Sequence, residues 1–174
     1  MFYYALPSLT GSSGIWAIEF VDRFPNTLVI GRWVESAEID AQFYSDDGTT
    51  ELEPVLASCG ELYCEAGKVL NRPFFLSEIQ PQAFDEADFV EKRVVRYKTP
   101  VGPWAKDPKL SEVGRFLAAA MENDLHGYAQ MPWQILQKPA DEYQVWLATL
   151  RKALRNPKVH SYMIVLVAYG RKPE

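Results

Sequence analysis

The fold is decided by the stretch Tyr162-Met163-Ile164-Val165-Leu166-Val167-Ala168-Tyr169. Every residue in it is apolar or aromatic, so a strand formed here is hydrophobic on both faces. Strands of this kind lie inside a sheet that is covered by helices, whereas strands with one solvated face alternate between apolar and polar side chains. Residues 162–169 therefore predict the central strand of a sheet in an α/β protein.

Two further segments are predicted to be strands of the same sheet. Residues 33–43 alternate, with Trp33, Ala37, Ile39, Ala41 and Phe43 on an apolar face. The opposite, polar face of this segment carries Ser36, Glu38, Asp40 and Gln42. Residues 89–97 are rich in β-forming residues but charged on both faces, which is typical of an edge strand.

Helices are predicted around and between these strands. An apolar stripe predicts a short helix at 15–24, followed by a strand at 27–30, and a Thr50–Glu53 capping box predicts a helix that ends near Gly67. A short helix containing Pro81 is predicted at 76–87. An Asp107–Pro108 cap precedes a long amphipathic helix, and an apolar stripe at 141–155 predicts a last helix that buries Val145. The whole chain, residues 1–174, is predicted to be one mixed α/β domain.

Composition excludes several classes of protein and site. Hydrophobic residues make up 48% and charged residues 24%, which is ordinary for a globular domain. A net charge of −5 argues against a nucleic-acid partner, and no apolar run approaches the roughly 20 residues of a membrane span. Two histidines and two cysteines, Cys59 and Cys64, make no metal ligand set. We expect a cytoplasmic protein without a signal peptide.

Several motifs resemble those of fungal class I S-adenosylmethionine-dependent methyltransferases, enzymes common in secondary-metabolite pathways. The resemblance runs over nearly the whole chain and is most specific in its second half. It is carried by Gly14-Ile15-Trp16, Ser45-Asp46-Asp47-Gly48-Thr49, Pro100-Val101-Gly102-Pro103-Trp104, Lys106-Asp107-Pro108, His160-Ser161-Tyr162 and Tyr169-Gly170-Arg171. It implies a Rossmann-like domain with a mixed sheet flanked by helices.

The same resemblance implies a truncated cofactor half. The family's D-x-G-x-G-x-G cofactor loop falls on residues 8–14, where Ser8, Thr10 and Ser12 replace the acid and the first two glycines. A β-carbon is a steric obstacle where backbone must touch a cofactor. After Gly31 the chain passes directly into what resembles the family's fifth strand, so the central cofactor-binding strands are missing. We therefore predict no bound cofactor and no methylation.

Three titratable side chains are the catalytic candidates. Glu38 and Asp40 lie two residues apart on one strand face and form a general acid/base pair if one of them is desolvated. The alternative is a solvated strand face. His126, expected just past the end of the amphipathic helix, titrates near neutral pH, and its alternative role is as a partner of the helix dipole. For His160 a structural hydrogen bond is the favoured interpretation.

Aromatic side chains are the candidates for substrate binding. They are Tyr44, Tyr63, Trp104, Phe116 and Trp133. Together they are predicted to wall a pocket for a flat hydrophobic substrate, because aromatic rings line such pockets. Core packing is the alternative, and for Phe116 it is the stronger one.

The predicted function is a cofactor-independent cyclase or isomerase of secondary metabolism, including pericyclic chemistry of the Diels–Alder type, acting on a small hydrophobic natural-product intermediate. Confinement of a flexible substrate supplies the rate enhancement. The alternatives are a non-catalytic partner of a full-length methyltransferase or regulator, and a genuine methyltransferase whose gene model is wrong. A homodimer is expected, because the unpaired edge of the 33–43 strand needs covering by a second copy or an exchanged N-terminal segment.

Overall fold

The computed structural model describes residues 33–75 and 79–173. Its elements, in chain order, are β1 (Trp33–Ile39), a 3-10 helix (Thr49–Leu52), α1 (Val55–Leu70), α2 (Ile79–Glu86), β2 (Val90–Pro100), α3 (Pro108–Ile135), α4 (Ala140–Leu154) and β3 (Tyr162–Arg171). The predicted cofactor-loop region at 8–14, the helix at 15–24 and the strand at 27–30 lie outside the described residues.

The sheet places β3 in the centre, in the order β1-β3-β2, which confirms the prediction for the deciding stretch. Both neighbours pair with β3 in antiparallel fashion, so β1 and β2 run parallel to each other on either side of it. The α/β class is confirmed. Where a mixed sheet was predicted, both pairings among the described residues are antiparallel, because β3 runs against the other two strands.

The predicted orientation of β1 is wrong, although its alternation is right. Trp33 is 55% exposed and Ile39 41% exposed, whereas Ser36 and Asp40 are buried. The register explains the reversal, because Ser36 lies opposite Ala168, which is fully buried in β3. Directly paired residues point to the same face of a sheet, so the polar face of β1 is the inner one.

Three of the helices pack against one another around the main core. α1, α3 and α4 contribute the buried side chains of this cluster, which include Leu56, Cys59, Leu62, Leu125, Trp133, Tyr143, Leu147 and Leu150. Phe43 and Met163 reach it from the end of the sheet. A second, smaller cluster of Phe84, Ala87, Phe89 and Ala168 fixes α2 to the sheet.

The predicted helix signals are partly confirmed. Asp107 caps α3, because its carboxylate accepts a hydrogen bond from the Leu110 amide at 2.9 Å and Pro108 occupies the first turn. The Thr50–Glu53 capping box is wrong, since α1 begins at Val55, after Pro54. The last helix does not bury Val145, which is 68% exposed.

A kink at Asp124 divides α3 into two helical segments. The backbone of Asp124 is non-helical, and its carboxylate accepts a hydrogen bond from the Gly127 amide at 3.0 Å, which restarts the helix. His126 lies in the first turn of the second segment, just past the end of the first, which agrees with its predicted position. In the described part of the chain no helix is both long and apolar enough to cross a membrane.

Candidate functional site

A hydrogen-bonded loop joins the strand ends at one edge of the sheet. The residues Ser45 to Thr49 follow β1, and they meet the end of β2 and the beginning of β3. Since β1 and β2 run parallel, this is the edge at which both of their carboxyl ends lie. Open α/β sheets bind their ligands at such an edge.

Asp46 links the loop to β2 and β3. Its carboxylate accepts hydrogen bonds from the Lys98 ammonium at 2.6 Å and from the Tyr162 hydroxyl at 2.9 Å. The Lys98 ammonium also lies 4.8 Å from the centre of the Tyr162 ring, and Tyr44 stacks on the same ring. The hydrogen bonds from Lys98 and then Tyr162 lower the pKa of Asp46.

Asp47 links the loop to His160. Its carboxylate accepts hydrogen bonds from the Thr49 hydroxyl at 2.7 Å and the Thr49 amide at 3.1 Å, and it lies 2.7 Å from His160 Nδ1. These contacts, the Thr49 hydroxyl first, lower the pKa of Asp47 to about 2. The His160 amide donates to the Thr49 hydroxyl, and the His160 ring stacks on Trp104. The structural role predicted for His160 is confirmed.

We expect Asp47→Asn to lower the thermal midpoint at neutral pH and to have no effect in strong acid. Because folding lowers the pKa of Asp47 from 3.8 to about 2, its stabilisation is full above pH 3.8 and disappears as the pH falls toward 2. The measurement is the melting temperature of both proteins from pH 7 to pH 2. Glu65→Gln, on the exposed side of α1, is the control. A gap between the two proteins that persists at pH 2 contradicts the assignment.

An open groove of about 670 Å³ lies beside this loop, between the segment after β1 and the amino-terminal half of α1. We call it the α1 groove. Its apolar lining consists of Phe43, Pro54, Ala57, Gly60 and Phe75. Its polar lining consists of Gln42, Thr50, Glu51, Glu61 and Cys64. The Ser45 hydroxyl, 2.9 Å from that of Thr50, holds one rim of the groove to the loop.

The predicted acid/base pair lies on the inner face of β1 and does not line this groove. Asp40 is buried, its amide donates to the Ile164 carbonyl at 2.9 Å, and Glu38 is half-buried on the same face. A fully solvated strand face is therefore excluded. Burial first, and then the charge of Asp40, raise the pKa of Tyr44. The catalytic roles of Glu38 and Asp40 stay predictions.

His126 lies on the helical layer, away from the loop of Asp46 and Asp47. Its ring Nδ1 is 3.1 Å from the Tyr143 hydroxyl, which also donates to the His126 carbonyl. Tyr143 itself is buried in the main core. The observed contacts of His126 thus serve packing between α3 and α4, and its catalytic role stays a prediction.

Four of the five side chains that were predicted to wall an aromatic pocket do not lie together in the structure. They are Tyr63, Trp104, Phe116 and Trp133. Trp133 packs on Tyr143 in the core, while Trp104 stacks on His160, and Phe116 is 70% exposed on α3. Tyr63 donates a hydrogen bond to the Tyr128 carbonyl at 2.5 Å and packs on Phe74. In the described ranges no ring contact joins these four side chains. The core alternative holds for Trp133 but not for Phe116.

The residues of the α1 groove could not be identified from the sequence because none is chemically distinctive. The sequence pattern places Gln42 only on a polar strand face and Thr50 only at a helix cap. Cys59 is buried, which raises its pKa to about 12, whereas Cys64 is exposed at the groove. Within residues 33–75 and 79–173 no group of three acidic, cysteine or histidine side chains lies close enough together to hold a metal ion.

Three known fungal proteins are similar to most of this chain. A probable methyltransferase, tdiE of Emericella nidulans, is 32% identical over 152 residues, which cover 85% of this chain and 47% of that protein. The methyltransferase pytC of Aspergillus terreus is 25% identical over 82% of this chain and 44% of its own. The secondary metabolism regulator LAE1 of Cochliobolus heterostrophus is 23% identical over 82% and 47%. No protein-family model matches the chain.

The chain spans just under half the length of these relatives. The similarity overturns one prediction, that the chain has no cofactor. Two of these relatives, tdiE and pytC, are named methyltransferases, and enzymes of this class take their methyl group from S-adenosylmethionine. It confirms the resemblance drawn from the motifs and agrees with the α/β fold. The chain is methyltransferase-like, similar over most of its length to fungal methyltransferases of secondary metabolism.

Proposed function

We propose that the chain takes part in S-adenosylmethionine-dependent methylation of a small hydrophobic metabolite, which it binds in the α1 groove. The observation that supports this most is the groove itself, at the carboxyl end of β1. Its volume of about 670 Å³ is in the range of small-molecule sites, roughly 300–1,000 Å³. The names of tdiE and pytC give the type of reaction.

The lining of the groove suits an apolar acceptor with one polar group. Phe43, Pro54 and Phe75 provide apolar walls, while the amide of Gln42 is available to orient a hydroxyl or carbonyl. The carboxylates of Glu51 and Glu61 are the candidates to accept the proton that an oxygen or nitrogen nucleophile loses.

The cofactor supplies an electrophilic methyl group, and the described residues fit the acceptor side of such a reaction only. They contain no turn with two glycines separated by one residue, which is the backbone feature that the family's cofactor loop needs. The residues that resemble that loop, 8–14, lie outside the described ranges.

The loop of Asp46 and Asp47 has a positioning role in this proposal. Its contacts with Lys98, Tyr162 and His160 hold the 3-10 helix, which carries Thr50 and Glu51, against the strand ends. A catalytic carboxylate is usually desolvated by burial, whereas the side chains of Asp46 and Asp47 remain exposed. They therefore shape the groove without contacting its contents.

The test is transfer of a labelled methyl group. The purified chain is incubated with methyl-deuterated S-adenosylmethionine and an organic extract of a fungal culture, and products are analysed by mass spectrometry. We expect a small apolar product that carries the label. Ala57→Trp, which fills the groove, should reduce its formation at least about tenfold. Ala119→Trp, the same change at an exposed position of α3, is the matched control and should leave it unchanged.

Other outcomes separate the remaining functions. A component of the extract that changes structure without gaining label, with the chain and not without it, indicates the predicted cyclisation or isomerisation. An extract that stays unchanged contradicts both reactions and leaves the non-catalytic role. Labelling that survives Ala57→Trp contradicts the assignment of the groove and not the reaction.

A further inference from the structure

The charges that line the α1 groove have one sign. Glu51 on the 3-10 helix and Glu61 on α1 contribute carboxylates, whereas none of the described residues that line it is a lysine, arginine or histidine. Neither carboxylate forms an ion pair with another side chain in residues 33–75 and 79–173. Both residues are exposed, so their charges are available to a ligand in the groove.

The segment that builds most of the groove is the acidic part of the chain. Residues 33–67 contain nine acidic residues and no basic one. The rest of the chain contains the other 14 of its 23 acidic residues and all 18 basic ones, so the net charge of −5 arises from this segment. A cleft lined by one sign of charge raises the local concentration of ligands of the opposite sign.

A second groove of the structure has the opposite character. It has a volume of about 600 Å³ and lies at the carboxyl end of α4, where Arg151, Lys152 and Arg155 line it together with Glu53. The negative lining of the α1 groove is therefore a local property of that site and not a general feature of the surface.

We propose that the α1 groove selects an apolar molecule that carries a protonated amine. The ammonium group binds to Glu51 and Glu61, and the apolar body packs against Phe43 and Pro54. The ring of Phe75 adds a favourable interaction with a cation. This inference rests on the proposed function, in which the groove holds the methyl acceptor, and it narrows that acceptor to an amine.

The hydrogen-bonding capacity of the ligand favours an amine over other polar groups. An ammonium group has up to three N–H donors, so it can donate to both carboxylates at once, whereas a hydroxyl has a single O–H donor. A carboxylic acid is ionised at neutral pH and would be repelled by two like charges. Of these groups, only the ammonium matches both the charge and the number of acceptors in the groove.

Two probes that differ only in this group test the inference. They are naphthylethylamine, which is protonated at neutral pH, and naphthylethanol, which is uncharged, and NMR titration gives the dissociation constant of each for the full chain. An exposed ion pair strengthens binding by at most about fivefold, so we expect two carboxylates to favour the amine by about tenfold. This ratio should fall toward one between about 0.01 M and 1 M salt, because the screening length falls from about 30 Å to about 3 Å.

Substitutions locate the charge that the amine recognises. Glu51→Gln and Glu61→Gln should each lower the ratio of the two affinities about threefold, and the double variant should abolish the preference. Glu112→Gln, which removes the same charge from an exposed position of α3, is the matched control and should leave the ratio unchanged. Ala57→Trp, which fills the groove, should weaken binding of both probes at least about tenfold.

The outcomes distinguish this inference from the proposed function. Equal affinities for the two probes, both lost in Ala57→Trp, overturn the amine and keep the groove as an acceptor site. Binding of both probes that is insensitive to Ala57→Trp, or no binding of either, overturns the amine and the groove together. A preference for the amine that survives in the double variant comes from other charges and overturns the role of Glu51 and Glu61. A preference that depends on both carboxylates supports the inference even where no labelled methyl group is transferred.

Discussion

Replacing Gly114 with alanine is expected to destabilise the protein by about 2 kcal/mol or more. A β-carbon at this position of α3 would lie 2.1 Å from the carbonyl oxygen of Gly102, far inside van der Waals contact. The obstacle is backbone, and the turn is fixed by the left-handed conformation of Gly102 (φ 96°) and its hydrogen bond to the Gly114 carbonyl. Alanine gains at most about 1 kcal/mol of helix propensity, which does not offset the clash.

Urea denaturation measures this effect, and Gly60→Ala is its matched control. In α1 the added β-carbon meets the flexible side chain of Gln42 at 3.2 Å, so the neighbour can move. We expect a change within about 1 kcal/mol in either direction for this variant. Equal stabilities of the two variants would contradict a backbone clash at Gly114.

The parts of the fold that sequence reasoning predicted correctly rest on local signals. The apolar stretch at 162–169 is central because both of its faces need covering, and Asp107 caps α3 because cap and proline are adjacent in the chain. The charged segment at β2 forms an edge of the described sheet for the same kind of reason.

The orientation of β1 could not be predicted in this way. Alternation separates two faces but does not determine which one is inside. Residues 33–39 present a more hydrophobic face that is nevertheless outside, whereas Phe43, on the same predicted face, is buried. The inner face is decided by register with β3, where Ser36 lies opposite Ala168. Register is a property of two strands more than a hundred residues apart, and no local pattern encodes it.

The site was missed for a related reason. The motifs that carry the family resemblance were recognised one by one, yet the structure joins Asp47 to His160 and Asp46 to Lys98 and Tyr162. Their contacts make the loop a structural link between strand ends. The groove beside it is lined by common residue types from the segment after β1, α1 and Phe75, so sequence alone offered no chemical signal for it.

The second large effect concerns the smaller core cluster. Phe84 is 1% exposed, its ring centre lies 4.9 Å from that of Phe89, and it packs against the backbone of Gly170 in β3. We expect Phe84→Ala to lower the free energy of unfolding by about 3–5 kcal/mol, the usual cost of deleting a buried aromatic ring. Denaturation of the two proteins in urea at neutral pH measures the difference.

Phe116→Ala is the matched control, because it deletes the same side chain from a position that is 70% exposed. A substitution there is expected to change stability by no more than about 0.5 kcal/mol, as is usual for surface positions without specific contacts. The comparison also decides between the predictions made for Phe116, since a core or pocket residue would show a loss similar to that of Phe84. If the two variants lose the same amount of stability, α3 is covered at Phe116 in solution and the exposed position assigned to this side chain is wrong.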